Sequence, residues 1–215
     1  TVTIDVTNIA PSNPGAEVWS GNTKLTPDTR GVYSALEGDS LEIRGWAEDS
    51  ENDIDDLVHL WAPDAEDNPD IQHQSVGQFS SVEHIYTTVG LHLATLVVTD
   101  DDGESSETLT VVIDIANVAP TIDPISNPLP VAEGDEITIT ATVWDTLGDL
   151  ENMQNCFDLD PETNSDGEGG ADDDCDVEGT TFVGTWHDAR SAPDSIIFHT
   201  MDDDGERASD EVPIV

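Results

Sequence analysis

Basic residues are almost missing from this chain. Five Lys and Arg stand against 48 Asp and Glu in 215 residues, a net charge of −43 with the histidines neutral. Nucleic acid requires a basic footprint, so it is excluded as a partner. An anionic membrane surface repels such a chain. No apolar run approaches the ~18–20 residues that cross a bilayer. No signal peptide precedes the strand-like opening, which reads as a mature or excised piece. Catalytic signatures are missing as well: no His-Glu-x-x-His, no Gly-x-Ser-x-Gly and no phosphate-binding glycine loop. The six histidines (59, 73, 84, 92, 187, 199) share no metal-ligand spacing, and His84 and His92 read as strand or corner residues. Among 48 acids, pairs of carboxylates arise by chance and argue for no glycosidase. The chain therefore reads as a non-enzyme. There is no Asn-x-Ser/Thr sequon. Cysteine is limited to Cys156 and Cys175, which lie in one acidic loop. An even count in an extracellular type of composition favours a disulfide over a metal–thiolate site.

What remains to partner such a charge is positive: Ca²⁺, a saline medium or a basic protein surface. At low ionic strength self-repulsion loosens the fold. Scarce lysine with abundant carboxylate is the composition of halophile and marine archaeal proteins.

The apolar residues, 36% of the chain, gather in short alternating runs rather than scattering, which argues for folded strands. No stretch carries a helical period. In Leu41–Ala47 the inward set is Leu41, Ile43, Gly45 and Ala47. Its counterpart is Ile137, Ile139, Ala141 and Val143, separated by threonines. This period of two is that of half-buried antiparallel strands. Further strands are expected near 56–61, 80–86, 91–99, 105–115, 180–187, 194–200 and 206–215. Short strands between turn signals point to β-sandwiches.

Three landmarks recur. Thr1–Pro11 resembles Thr110–Pro120, Glu37-Gly38-Asp39 returns as Glu133-Gly134-Asp135, and Asp100-Asp101-Asp102-Gly103-Glu104 returns as Asp202-Asp203-Asp204-Gly205-Glu206. Offsets of 109, 96 and 102 residues indicate duplicated modules. The division expected is 9–117 and 118–215. Residues 1–8 read as the last strand of a preceding module or a strand donated to a neighbour, because Val2, Ile4 and Val6 match Val111, Ile113 and Ile115. Prolines 120, 124, 128 and 130 stiffen the segment that opens the second module.

The run from His84 through Tyr86 and Gly90 into Leu91–Gly103 resembles the signature of PKD repeats, in which a His-x-Tyr-x-x-x-Gly corner leads into an alternating strand closed by an Asp-Asp-x-Gly hairpin. The Asn-x-Ala-Pro segments at Asn8–Pro11 and Asn117–Pro120 also match, and Trp61 stands where that family places its core tryptophan. His92 replaces the usual aromatic. In the second module Trp186 and Asp188 replace the corner His and Tyr, and no Gly-Asp-Gly turn follows Trp61. The resemblance implies two tandem immunoglobulin-like β-sandwiches of the PKD type, all-β, serving as extracellular or cell-surface spacer or adhesion modules. Such repeats are common in archaeal surface-layer and other cell-envelope proteins. Self-association, or docking of neighbouring modules of the same protein, is the expected interaction, with metal cations. The alternative is a spacer or carbohydrate-binding accessory module of a large secreted hydrolase, with Trp19, Trp46 and Trp186 as stacking surfaces.

Two sets of oxygens are candidate Ca²⁺ ligands. Asp49 and Asp53 align with Asp145 and Asp149, and the turns supply Asp100 and Asp102 in one module and Asp202 and Asp204 in the other. Ca²⁺ takes six to eight oxygen ligands, which clustered carboxylates at strand ends provide. Asp-Asp-Asp-Gly is equally the composition of a plain solvated turn. The second set lies in the insertion 156–175. There Glu162, Asn164, Asp166, Gly167, Glu168 and Asp173 fall on positions 1, 3, 5, 6, 7 and 12 of a calcium loop, without flanking helices. A Cys156–Cys175 bridge closing this loop is worth about 3 kcal/mol through the unfolded chain.

Overall fold

A computed structural model of the chain describes residues 2–126, 132–159, 175–188 and 192–214. It divides into two units, Thr1–Ala116 and Asn117–Val215, and among the described residues every regular element is a strand.

Unit 1 contains β1 (Ser12–Ser20), β2 (Thr23–Lys24), β3 (Val32–Leu36), β4 (Ser40–Glu48), β5 (Val58–Ala62), β6 (His73–Val76), β7 (Phe79–Ile85), β8 (Gly90–Thr99) and β9 (Leu109–Ala116). One sheet has the order β2-β1-β4-β7 and the other β3-β9-β8-β5-β6. All pairings are antiparallel except β3 with β9. Two sheets with this order, exchanging strands between first and last positions, are the Greek-key arrangement of an immunoglobulin-like sandwich.

The alternation of β4 places Leu41, Ile43, Gly45 and Ala47 on the buried face, as the period predicts. They meet Trp61 of β5, Ala94, Leu96 and Val98 of β8, and Val111, Ile113 and Ile115 of β9 in one core. Trp61 is 1% exposed, and its indole N–H donates to Ser80 Oγ at 2.9 Å. The large ring leaves no room opposite: a Cβ on Gly45 would sit 2.4 Å from it, which is why glycine stands at this inward position. Tyr86, at the corner between β7 and β8, is 2% exposed and donates its hydroxyl to the Pro63 carbonyl at 2.5 Å. This bond ties the tyrosine at the β7–β8 corner to the turn after β5. Burial pushes the Tyr86 phenol well above its usual range.

Unit 2 contains β10 (Thr121–Ile122), β11 (Glu136–Thr140), β12 (Val143–Trp144), β13 (Gln154–Asp158), β14 (Val177–Glu178), β15 (Thr181–Thr185), β16 (Ser195–Met201) and β17 (Arg207–Pro213). β11 pairs β15, β10 pairs β12, and the remaining strands form the sheet β14-β13-β16-β17. Offsets of 96 to 102 residues carry β4 onto β11 and β12, β5 onto β13, and β8 onto β16. Ile137, Ile139, Ala141, Phe157, Phe182, Ile196, Phe198 and Val212 form its core. Phe157 stands where unit 1 has Trp61 and packs 5.0 Å from Phe198 and 6.0 Å from Phe182.

Several expectations are corrected here. Cys156 is not in a loop: it lies on β13 and is buried beside Phe157, and its disulfide to Cys175 is formed. The expectation of a terminal or donated strand at 1–8 stands apart from these corrections: among the described residues, 2–8 form no strand, and Val2, Ile4 and Val6 are exposed. Trp19, Trp46 and Trp186 are half-buried rather than exposed, Trp186 packing on Phe182 with the core of unit 2. Among the described residues no helix is long and apolar enough to cross a membrane.

Candidate metal centres

The same group of side chains occurs at one end of each unit. In unit 2 the strand ending at Trp144 runs into Asp145-Thr146, and a turn closed by Asp149 N–H on the Thr146 carbonyl at 3.3 Å brings Asp149 back. The hairpin after β16 supplies Asp202. Its carbonyl accepts from Gly205 N–H at 3.4 Å, and its Oδ1 accepts from Glu206 N–H at 2.8 Å. One carboxylate oxygen from each of Asp145, Asp149 and Asp202 lies within 4.8 Å of the other two. Asp149 and Asp202 are buried, at 2% and 1% exposure.

Asp202 Oδ2 accepts from Asn117 Nδ2 at 2.9 Å, Asp149 Oδ2 from Thr146 Oγ1 at 3.1 Å, and Asp145 Oδ1 from Thr146 N–H at 2.8 Å. Asp145 Oδ2 is buried with no donor. Burial pushes the Asp145 carboxyl above its ordinary range, and the charges of Asp202 and Asp203 push the same way against the Thr146 N–H. Burial and the same kind of crowding, from Asp203 and Asp202, raise Asp204. Three converging carboxylates with one unbonded oxygen form an electronegative pocket that a hard cation neutralises.

Unit 1 repeats the pattern residue by residue. Asp49 Oδ1 accepts from Ser50 N–H at 2.7 Å, Asp53 Oδ2 from Ser50 Oγ at 2.7 Å, Asp100 Oδ1 from Glu104 N–H at 2.8 Å and Asp100 Oδ2 from Asn8 Nδ2 at 2.7 Å. Asp49 Oδ2 is buried with no donor, like its counterpart. At Asp100 burial is the largest influence and raises the carboxyl. The donors from Asn8 and from the Glu104, Gly103 and Asp102 backbone together outweigh it, so the group titrates below its ordinary range. Asp49, Asp53 and Asp100 are not drawn into the three-way closeness seen in unit 2.

Of the ligands expected from sequence, the structure brings together Asp145, Asp149 and Asp202, and gives Asp49, Asp53 and Asp100 the equivalent bonds. Asp102 stands exposed on its turn, and Asp204, also exposed, has a carboxylate oxygen within 4.8 Å of one of Asp149. Glu162, Asn164, Asp166, Glu168 and Asp173 lie outside the described residues. The sequence reading missed Asn8 and Asn117 as the side chains that hold the turn aspartates. Their signal was present, since both belong to the repeated Asn-x-Ala-Pro segment. It also missed Ser50 and Thr146, which bond across the acidic turn.

No family model matches the chain, and no curated protein matches it. Among solved structures it is similar to the PKD domain of an M14-like peptidase from a Thermoplasmatales archaeon, at 12% identity over 52% of this chain and 100% of that one, with a TM-score of 0.37. It is similar to the fibronectin(III)-like modules of Clostridium thermocellum CbhA at 16% identity over 88% and 92%, with a TM-score of 0.31. It is also similar to the Yersinia pseudotuberculosis adhesin InvE at 17% identity over 86% and 57%, with a TM-score of 0.32.

Proposed function

We propose that the chain is a pair of structural or adhesive modules of an extracellular, cell-surface assembly, such as a surface layer or filament, with Ca²⁺ bound at the acidic end of each sandwich. The observation that carries this reading is the repeated site. Two units with different cores keep the same Asn-held turn aspartate, the same hydroxyl-bridged acidic turn and the same buried carboxylate oxygen without a donor. Ordinary solvated turns leave their carboxylates in water, whereas unit 2 buries Asp149 and Asp202 and unit 1 buries Asp100. A cation at the end of each sandwich joins loops from two strand connections, and it offsets part of a net charge of −43. The disulfide and the acidic surface suit a saline, oxidising exterior. Assembly then runs through neighbouring modules or other copies of the chain, to which Val2, Ile4 and Val6 offer an unpaired apolar segment.

Thermal melting with and without a chelator across a salt series, read together with light scattering, tests this. Chelation at fixed ionic strength lowers the melting temperature, and saline calcium-loaded samples scatter as oligomers. An unchanged melting temperature removes the calcium role, and monomers under every saline condition remove the assembly role.

One feature of unit 1 supports a second reading, the carbohydrate-binding accessory module. On the outer face of the β2-β1-β4-β7 sheet, Trp46 lies between Gly15 and Phe79 in register. Phe79 is 66% exposed, and Arg44 stacks 4.3 Å over Trp19. Aromatic faces beside Glu17 and Glu42 are the materials of sugar stacking and hydroxyl bonding. Retention on insoluble polysaccharide, lost in Trp46→Ala, distinguishes this reading from the first.

A further inference from the structure

The β7–β8 corner of unit 1 holds a second group of ligand-type side chains, away from the acidic end. Asp64 and Asp67 lie in the turn after β5, and His92 lies on β8. The turn is fixed by three backbone bonds, from Ala65 N–H to Leu93, from Asn68 N–H to Asp64 and from Ile71 N–H to Asn68. His92 and Asp64 are each 3% exposed, although both are polar, while Asp67 reaches solvent. Together with His84, Tyr86 and Asn68 they line a cavity of about 490 Å³.

The chemistry of the imidazole decides what belongs there. His92 Nε2 is 2.9 Å from the Thr88 carbonyl, which can only accept, so Nε2 carries the proton and donates. Nδ1 faces Asp64 Oδ1 at 3.2 Å and Asp67 Oδ2 at 3.4 Å, where it either offers a lone pair to a metal or carries a proton and donates to the carboxylates. Nδ1 and one oxygen of each carboxylate converge within 4.8 Å of one another. Two carboxylates so close need positive charge between them, which a metal ion or a proton on Nδ1 supplies.

We propose that Asp64, Asp67 and His92 form a Zn²⁺-class divalent metal site, with the fourth position open to the cavity and filled by water. Bonds of about 2.0–2.2 Å in a tetrahedron place neighbouring ligand atoms about 3.3–3.6 Å apart, close to the separations here. An imidazole ligand selects this class over Ca²⁺. The surrounding bonds are those a metal site uses to hold its ligands. The far nitrogen of the histidine donates to a backbone carbonyl, and the second oxygen of Asp64 accepts from Asn68 Nδ2 at 2.5 Å. Sequence reading overlooked the site because ligands at 64, 67 and 92 follow no short spacing, and two aspartates in a turn are unremarkable among 48 acids. Unit 2 has Asp194 at the His92 position, so the site belongs to unit 1 alone.

The test titrates Zn²⁺ into the full chain in excess Ca²⁺, which occupies the other carboxylates, and follows heat and the ring nitrogens by long-range ¹H–¹⁵N spectra. The expected result is one tight equivalent and a large shift of the Nδ1 resonance of His92. Asp67→Asn, an exposed change that leaves the fold intact, weakens the site at least tenfold, and His92→Gln abolishes the tight equivalent. Equal zinc affinity in Asp67→Asn and the wild type, or an Nδ1 that carries a proton and stays unmoved by Zn²⁺, overturns the proposal. Either outcome leaves the Ca²⁺ sites untouched.

Discussion

Units 1 and 2 share a strand plan but hold it together differently. In unit 1 β4 runs unbroken for nine residues, paired with β1 on one side and β7 on the other. In unit 2 its counterpart is split into β11 and β12, and the strand beside it is reduced to Thr121–Ile122. Proline is the cause on the sequence side. Pro120 and Pro124 flank that short strand and remove the N–H groups a longer ladder would need. Unit 1 centres on a tryptophan with a hydrogen-bonded N–H and on a corner tyrosine, whereas unit 2 centres on three phenylalanines and a disulfide that ties β13 to Cys175. The acidic end survives while the core around it changes, which separates what packs each sandwich from what its loops bind.

The sharpest way to break this comparison is to empty each core in turn. Trp61→Ala and Phe157→Ala each cost about 3–5 kcal/mol. Each variant should lose one of two calorimetric transitions and keep the other. A single merged transition would mean that the units are one cooperative body. Reducing the disulfide, or replacing both cysteines by serine, should destabilise unit 2 by about 3 kcal/mol and leave unit 1 unchanged. The reverse pattern would remove the disulfide as the compensation for the interrupted strands. Tyr86→Phe should cost unit 1 about 1–1.5 kcal/mol in urea, the worth of a buried neutral hydrogen bond.

Acidification should separate the units by sign. His59 is fully buried in unit 1, and burial lowers its folded-state affinity for a proton. The stability it contributes is present above the unfolded histidine value near 6.5 and is lost as pH falls below it. Asp145 in unit 2 is raised, chiefly by burial. Without divalent cations its ionised form opposes folding, and stability returns as pH falls through the raised carboxylate range. As pH falls from about 7, the chelated protein should therefore lose melting temperature in the unit 1 transition below the unfolded histidine value, and gain it in the unit 2 transition as Asp145 protonates on the way down to the unfolded carboxylate value. Parallel shifts would contradict the assignment.

The strands that sequence revealed are those with one wet and one dry face. β4, β8, β9, β11 and β16 alternate cleanly, and the buried set of β4 was read residue by residue. β1 carries Pro14 and Gly15, and β3 is a short parallel edge, so neither has an alternation to read. β13 lay hidden because Cys156 and Phe157 border an acidic stretch that looked like loop from end to end. Residues 2–8 alternate well yet join no strand among the described residues, since alternation signals a strand's chemistry and not its partner. At the acidic ends, the repeat made the aspartates visible, because a shared offset aligns them. Which oxygens are buried without a donor depends on side-chain geometry that no spacing encodes.

The central claim is that the buried carboxylates at the sandwich ends are in place to hold Ca²⁺. Asp145→Asn tests it most directly, measured as the unit 2 melting temperature in chelator and again in calcium. The substitution removes a half-buried charge whose Oδ2 has no donor, so the account predicts a higher melting temperature than wild type in chelator. It also removes a ligand, so calcium should raise the variant's melting temperature less than it raises that of the wild type. A variant that is destabilised in chelator and responds to calcium like the wild type would contradict it.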